Sequence, residues 1–460
     1  MKYGMGRLVG VLVYCIVVGT AWCGVVNSAH RVATCAENTV VLAKDLVVNY
    51  MQEARAAYGS PEYADYKTSI ASKYSVDKTK GYDKPNPVSL SWERMPGTES
   101  YTLLISKTED FSNVVFTAEN VKGTSCTVYN LRVGTVYFWK VKSGVTESGV
   151  KKFRTDDTVR YINVDGVRNV RDLGGWNGLN QGWAFRGSEL DYVEEHRRDG
   201  LNLTDAGRKV LHDDLGIKTD LDFRVTALTE SPIGSDVKFI NGYRIGSYMA
   251  AFTSALFSGA IRTFADIDNY PIYFHCWGGA DRTGTVAFIL EALCGVTETE
   301  LAMDYELTTF SVFGHRTRVD NPWYKYASMV AKLKEYPGAT LKEKAENYAM
   351  TTLGLTRSEV SNIQSILSGN AVVFEQKNAC AVVGRETSLP LKNVGTHTVL
   401  RVTVNGKAVD FAMRGNVLSI KATEGGEGVI VFEDGHVLKF AALLDTGSDI
   451  HADHATCPSV

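Results

Sequence analysis

Between residues 84 and 156 apolar and polar positions alternate in short runs. PVSLSWERM, SYTLLISKT, VVFTAE, SCTVYNL and VYFWKVKSG are separated by turn signals such as Pro96-Gly97 and Gly134. A period of two broken at that spacing predicts a small antiparallel β-sandwich, with Trp92, Leu131, Tyr137 and Trp139 packed inside. A second β-rich stretch occupies residues 369–460, where HTVLRVTV, VLSIKA, GVIVFE and HVLKFAALL are joined by Asn405-Gly406, Gly425-Gly426 and Asp434-Gly435. Those dipeptides are strong hairpin signals, and a second sandwich is expected. From 157 to 368 the period changes: GIKTDLDF and YPIYFHC read as buried strands, TDAGRKVLHDDLG and TGTVAFILEALCG as helices. Strands alternating with helices predict an α/β domain. Residues 30–83 are polar, with weak helical periodicity around LAKDLVVNYMQEARAAY, and carry no assigned chemistry. The expected architecture is multidomain, a central α/β domain flanked by two small all-β sandwich-like domains.

The first 29 residues stand apart. MKYGMGR places Lys2 and Arg7 ahead of the apolar run LVGVLVYCIVVGTAWCGVV, the shape of an export signal. Cleavage after Ala21, Ser28 or Ala29 fits, and Trp22 before Cys23 argues against a lipoprotein signal. The run is also long enough for a membrane anchor. An exported protein, secreted, periplasmic or held at the cell surface, is expected.

Charge narrows the chemistry. Over 460 residues, 49 basic and 52 acidic side chains leave a formal charge of −3, so no broad cationic field invites nucleic acid. Any anion must be held by a local site. Of the eight cysteines, Cys15 and Cys23 fall in the leader, and no CxxC pair occurs, so no zinc ribbon is expected. A bridge between Cys380 and Cys457 is open. His451, Asp453, His454 and Cys457 lie near the C-terminus, where a loose end is the simpler reading than a metal site. No metal or cofactor is expected.

One run concentrates the chemistry, HCWGGADRTGT from His275 to Thr285. The strand YPIYFHC ends at Cys276, Arg282 follows six positions on, and Thr283-Gly284 leads into an apolar helix. The backbone N–H groups of Trp277, Gly278, Gly279, Ala280, Asp281 and Arg282 can curl toward one point above the thiol, an anion nest capped by a helix N-terminus. Glycines at 278 and 279 permit the tight path. Arg282 can grip two oxygens of a phosphoryl group through its planar fork. The same donors favour a nucleophilic thiolate. Thr283 offers a hydroxyl to the sulfur, and His275 can orient the loop from behind.

This C-x5-R pattern, with His before it and Thr-Gly after it, resembles the signature of the cysteine-dependent protein tyrosine phosphatase superfamily. NVRDLGGW (169–176), FRGSEL (185–190), LTDAGRKVLHDDLGIKTDLDFR (203–224), MDYELTT (303–309) and LGLTRSEVSNIQSIL (353–367) are similar to successive blocks of its bacterial and fungal branch, which includes a secreted mycobacterial phosphatase. The resemblance implies attack by Cys276, a cysteinyl-phosphate intermediate, and hydrolysis of phosphoprotein or small phosphomonoester substrates. That branch usually has a lysine where Ala280 stands, so a cation suited to polyanionic phosphoinositides is missing. No Trp-Pro-Asp tripeptide exists to supply the acid. Asp281 and Asp222 are the candidates, Asp222 having a structural ion pair with Arg224 as its alternative. Asp172 is expected to hold the fold or an arginine. Arg186 either approaches the phosphate or orders the 169–176 block, Trp277 either walls the pocket or packs, and Cys294 is expected to be a buried apolar filler. His315 and Arg316 have no assigned role. Residues 84–156 resemble a fibronectin type III domain, and the β modules are expected to bind other proteins or glycans. The expected activity is on phosphotyrosine-like monoesters, with dual specificity open; the alternatives are a phosphoinositide or inositol-phosphate phosphatase and a catalytically weak phosphoryl-binding adhesive surface protein.

Overall fold

The computed structural model describes residues 39–58, 69–74, 77, 80–191, 202–374, 379–394, 397–433 and 437–444. The leader, the C-terminal His451, Asp453 and His454, and the pairing of Cys380 with Cys457 lie outside the described residues. Among the described residues no helix is long and apolar enough to cross a membrane.

The first region is built from β1 (Thr39–Val40), β2 (Val88–Ser91), β3 (Tyr101–Ser106), β4 (Val114–Val121), β5 (Ser125–Val128), β6 (Val136–Ser143), β7 (Thr146–Glu147) and β8 (Lys151–Thr155). One sheet runs β1-β8-β6-β3-β4 with β7 on β6, and β2 pairs β5 in a second. Successive side chains on a strand point to opposite faces, so β6 turns Tyr137, Trp139 and Val141 inward. They meet Val88, Leu90 and Trp92 in one core.

Between β1 and β2 runs α1 (Asp45–Tyr58), whose Val47, Tyr50, Met51, Ala54 and Tyr58 are buried. That spacing makes one helical face. It packs into the core of the central domain, not that of the sandwich-like strands. Tyr50 Oη donates to Glu306 at 2.8 Å, Tyr58 Oη at 3.0 Å and Ser69 Oγ at 2.5 Å. With the Arg318 N–H at 2.8 Å, these donors satisfy a carboxylate that is otherwise fully enclosed.

The central sheet comprises β9 (Arg171–Asp172), β10 (Ala184–Gly187), β11 (Thr219–Asp222), β12 (Lys238–Ile240) and β13 (Ile272–His275), in the order β12-β11-β13-β10-β9. β10 to β13 are parallel, and β9 runs antiparallel to β10. Every residue of β13 is buried, as a central parallel strand covered on both faces requires. Helices α2 (Asp205–Lys209), α3 (Ala255–Arg262), α4 (Arg282–Leu293), α5 (Glu298–Glu306), α6 (Tyr326–Lys334), α7 (Leu341–Thr351) and α8 (Arg357–Leu367) complete the domain. Capping boxes at Thr297/Glu300, Thr340/Glu343 and Thr356/Glu359 fix the starts of α5, α7 and α8. From Thr283 to Leu293 α4 is buried on all sides. The register sets Gly187 and Asp222 on either side of His275, one row at the carboxyl edge of the parallel strands. Open α/β sheets place their sites at that edge.

The last region contains β14 (Val373–Phe374), β15 (Cys380–Val382), β16 (Glu386–Lys392), β17 (Val399–Val404), β18 (Lys407–Val409), β19 (Phe411–Arg414), β20 (Val417–Lys421), β21 (Gly426–Phe432) and β22 (Val437–Leu443). A four-stranded sheet, β14-β16-β20-β19, and a five-stranded one, β15-β22-β21-β17-β18, share one apolar core. Asn405 and Gly406 take φ of +48° and +79° between β17 and β18, the left-handed pair a two-residue hairpin needs.

Candidate active site

β13 delivers Cys276 to the base of a loop, and α4 begins at Arg282 on the far side. The thiol is buried at 4% exposure. Gly279 has φ +63°, and a Cβ added there would lie 2.1 Å from the Gly187 carbonyl oxygen. Only glycine fits this close approach. Gly278, Gly279 and Ala280 are buried, and among the described residues the N–H groups from Gly278 to Asp281 donate to no backbone or side-chain acceptor. Buried amides without acceptors are rare, and three of them in one loop, with that of half-buried Asp281 beside them at a helix N-terminus, make a receptor for an anion. Arg282 Nη1 donates to the Phe223 carbonyl at 2.9 Å, which turns the guanidinium across the loop and leaves its remaining N–H groups for a phosphoryl oxygen. The Thr283 hydroxyl is buried without a hydrogen-bond partner, so the expected bond to the sulfur is not formed here.

The loop is held from behind. Arg186, fully buried, donates through Nη2 to the Gly279 carbonyl at 2.9 Å and through Nη1 to Asp304. Arg171 meets the same Asp304 carboxylate at 2.8 Å. Of its two readings Arg186 takes the positioning one, because Nη1 and Nη2 are engaged with Asp304 and the Gly279 carbonyl beneath the loop. Asn169 Nδ2 donates to the Gly278 carbonyl at 3.0 Å, and the Asn169 N–H donates to Asp83 at 2.8 Å. Asp83, 1% exposed, also accepts from Arg168 and from the Ser311 hydroxyl at 2.6 Å. Asp83 belongs to the polar segment to which the sequence assigned no chemistry.

The two candidate acids part company. Asp222 accepts from the Arg224 backbone N–H at 2.8 Å and from its Nε and Nη2 at 3.0 and 2.8 Å. Burial pushes its carboxyl up, but His275 and Arg224 outweigh this and hold it below the usual carboxylate range. Asp222 is enclosed at 1% exposure and turned onto Arg224, so of its two readings the geometry favours the structural ion pair. His275 Nε2 lies 2.9 Å from Asp220. Burial lowers the imidazole, while Asp222 and Asp220 raise it overall. Arg224 also pairs with Asp191 and, at 2.7 Å, with Glu189. Burial raises the Glu189 carboxyl to about 7.

Asp281 has 30% of its side chain exposed, so it alone of the two candidates reaches solvent. Its Oδ1 accepts from Tyr248 Oη at 2.5 Å and Arg316 Nε at 2.8 Å, and Oδ2 from Arg316 Nη2 at 2.9 Å. Arg316 and Tyr248 were missed in the sequence, since neither lies near the loop along the chain. Trp277 packs edge-on against Phe313, centroids 5.7 Å apart. Asp172 holds Arg160 at 2.6 Å. Burial raises Cys294 to about 12, as for an inert thiol. Among the described residues no cluster of metal-ligating side chains occurs.

Residues 162–369 match the model of the Tyrosine phosphatase family. No curated protein matches the chain. Among solved structures, the core catalytic domain of the PP-IP phosphatase SIW14 from S. cerevisiae shares 16% identity over 39% of this chain and 89% of its own, with a TM-score of 0.22. The twitchin kinase region from C. elegans and a carbohydrate acetylesterase from Xanthomonas citri each share 9% identity over 78% of this chain, covering 96% and 93% of their own, with TM-scores of 0.13 and 0.12. Overlaps at such scores carry no argument about fold. The family match over 162–369, on a domain whose loop presents Cys276 and Arg282 to one anion site, assigns that domain to the cysteine-dependent phosphatase superfamily and the chain to the phosphoric monoester hydrolases.

Proposed function

We propose that the chain is an exported phosphatase that hydrolyses phosphotyrosine-like monoesters through a cysteinyl-phosphate. The observation that carries the reading is the set of buried, unpartnered loop amides above Cys276 with Arg282 at the first turn of α4. The Cys276 thiolate attacks phosphorus in line. The amides and Arg282 stabilise the equatorial oxygens as charge shifts. Asp281 protonates the leaving oxygen, and its carboxylate then takes a proton from the water that attacks the phosphoenzyme.

Charge supports single over multiple phosphates. Around the loop Arg316 is paired with Asp281, Arg224 with Asp222, Asp191 and Glu189, Arg168 with Asp83, and Arg171 and Arg186 with Asp304. Among these described arginines Arg282 has no carboxylate partner, so it meets one dianion. Ala280 is buried and adds no cation. Export is supported by the charged-then-apolar pattern of residues 1–29. The fibronectin type III reading is supported by Tyr137 Oη, which accepts from the Arg132 N–H at 2.9 Å, a tyrosine-corner contact. Such a module would dock the enzyme on proteins or glycans.

The test is hydrolysis of an aryl phosphate by wild type and by Cys276→Ser, followed by kcat/KM for a phosphotyrosyl peptide, a phosphoinositide and an inositol polyphosphate. We expect turnover that the substitution abolishes and a preference for the peptide. Turnover that survives in Cys276→Ser contradicts the mechanism, and a preference for the inositol polyphosphate contradicts the substrate class.

A further inference from the structure

The contacts around Asp281 define a device that the signature motif does not contain. Arg316 is 4% exposed and its guanidinium is held on every side. Nη1 donates to the Phe313 and His315 carbonyls at 3.3 and 3.0 Å and to Tyr324 Oη at 3.0 Å. The guanidinium carbon stacks 4.1 Å from the centre of the Tyr324 ring. Nε and Nη2 are thereby left with one direction, toward the two oxygens of Asp281. From the opposite side Tyr248 Oη reaches Oδ1 while sharing a 2.5 Å hydrogen bond with Tyr305 Oη. Tyr248 itself sits at φ +55°, a left-handed backbone that a bulky residue takes only when its surroundings impose it. Its N–H is fastened to Thr285 Oγ1 at 2.8 Å, and Thr285 Oγ1 donates to the Asp281 carbonyl at 2.9 Å.

We propose that Arg316 and Tyr248 are positioning residues that clamp Asp281 in the orientation for proton transfer to and from the phosphoryl ester. The proposal rests on Asp281 being the acid of the mechanism above. Oδ1 is engaged by two donors and Oδ2 by one, so the exchanging proton belongs to Oδ2. In the first half-reaction the S–P bond forms, the P–O bond to the leaving group breaks, and the Oδ2 proton moves to the departing oxygen. In the second, water gives a proton to Oδ2 while its oxygen bonds phosphorus and the S–P bond breaks, which restores thiolate and acid. Between these steps Asp281 is a carboxylate, the form that accepts all three observed donors. The clamp also occupies a second cation of the pocket, so Arg316 serves the acid and not a second phosphate. Other charged and titratable groups around Asp281 are Arg282, next to it in the chain, and Tyr305 and Tyr324, which contact Tyr248 and Arg316.

The experiment is a leaving-group series. Aryl phosphates from 2,4-dinitrophenyl to phenyl are compared for wild type, Asp281→Asn, Arg316→Gln, Arg316→Lys and Tyr248→Phe, with folding checked by circular dichroism. A poor leaving group needs the proton and a good one does not. We expect Asp281→Asn and Arg316→Gln to lose at least about tenfold more kcat/KM with phenyl phosphate than with the dinitrophenyl ester. Arg316→Lys, which cannot bond both oxygens, should fall between them and wild type. Tyr248→Phe removes one hydroxyl, so it tests the clamp should the arginine variants fail to fold, and it too should steepen the series. Equal losses across the series in the Arg316 and Tyr248 variants, with a steep series in Asp281→Asn, overturn the clamp alone. A flat series in Asp281→Asn overturns it together with the choice of acid, while the Cys276→Ser result separately reports on the nucleophile.

Discussion

The loop from His275 to Gly284 and the segment around Asp83 lie a residue apart in space, both bonded to Asn169, yet they were built by different rules. In the loop, chemistry dictates residue type and spacing: a thiol at a strand end, glycine where a Cβ would strike the Gly187 carbonyl, and arginine at the first helical turn. Around Asp83 nothing in the local sequence marks a role. Its carboxylate is nevertheless enclosed, and it answers Arg168, Asn169 and Ser311 from two other parts of the chain. The contrast teaches that groups meeting substrate are constrained along the chain, whereas groups holding them are constrained only in space.

The two regions should therefore fail differently. The largest effect belongs to Arg282→Ala, which removes the fork that faces the phosphoryl oxygens. A loss of about 10²- to 10³-fold in kcat/KM is expected, with little change in the urea midpoint, because among the described residues its side chain bonds the Phe223 carbonyl alone. If the midpoint collapses as well, the front of the loop is structural and the distinction fails. Asp83→Ala should do the reverse. It leaves Arg168, the Asn169 N–H and the Ser311 hydroxyl without their acceptor, and a loss of about 3 kcal/mol in unfolding free energy is expected. Its kcat/KM should fall less than that of Arg282→Ala. Unchanged stability would show that the 69–86 segment is merely appended to the domain.

The smallest effect is a slope with pH. Burial raises Glu189 to about 7 in the folded protein, against an ordinary 4.5. Between those values the folded state binds the extra proton, so this group's contribution to stability falls as pH rises from about 4.5 to about 7. Glu189→Gln should flatten that part of the stability curve measured by urea unfolding. An identical slope in the variant would mean that the Arg224 guanidinium, 2.7 Å away, keeps Glu189 ionised throughout.

Much of the fold was legible. Alternation marked Tyr137, Trp139 and Val141 as one face of a strand, and an unbroken apolar run marked Ile272 to His275 as a buried parallel one. The site was legible where its parts are contiguous, from Cys276 through Arg282. It was not legible for Arg316 and Tyr248, which reach Asp281 from 35 and 33 positions away, nor for Asp83. Arg186 and Asp222, each left with two readings, took the structural one for one reason. Each lies at the edge of the site in sequence blocks that carry catalytic resemblance, but a buried charge must find its partner first. Arg186 found Asp304 and the Gly279 carbonyl, and Asp222 found Arg224.

The claim on which everything else rests is that Cys276 carries the phosphoryl group between substrate and water. Rapid acid quenching during turnover of an aryl phosphate, followed by peptide mass spectrometry, tests it directly. The account predicts one phosphoryl group on the peptide containing Cys276, absent from Cys276→Ser. Steady turnover with no phosphorylated Cys276 peptide, or with the label on another residue, would contradict it.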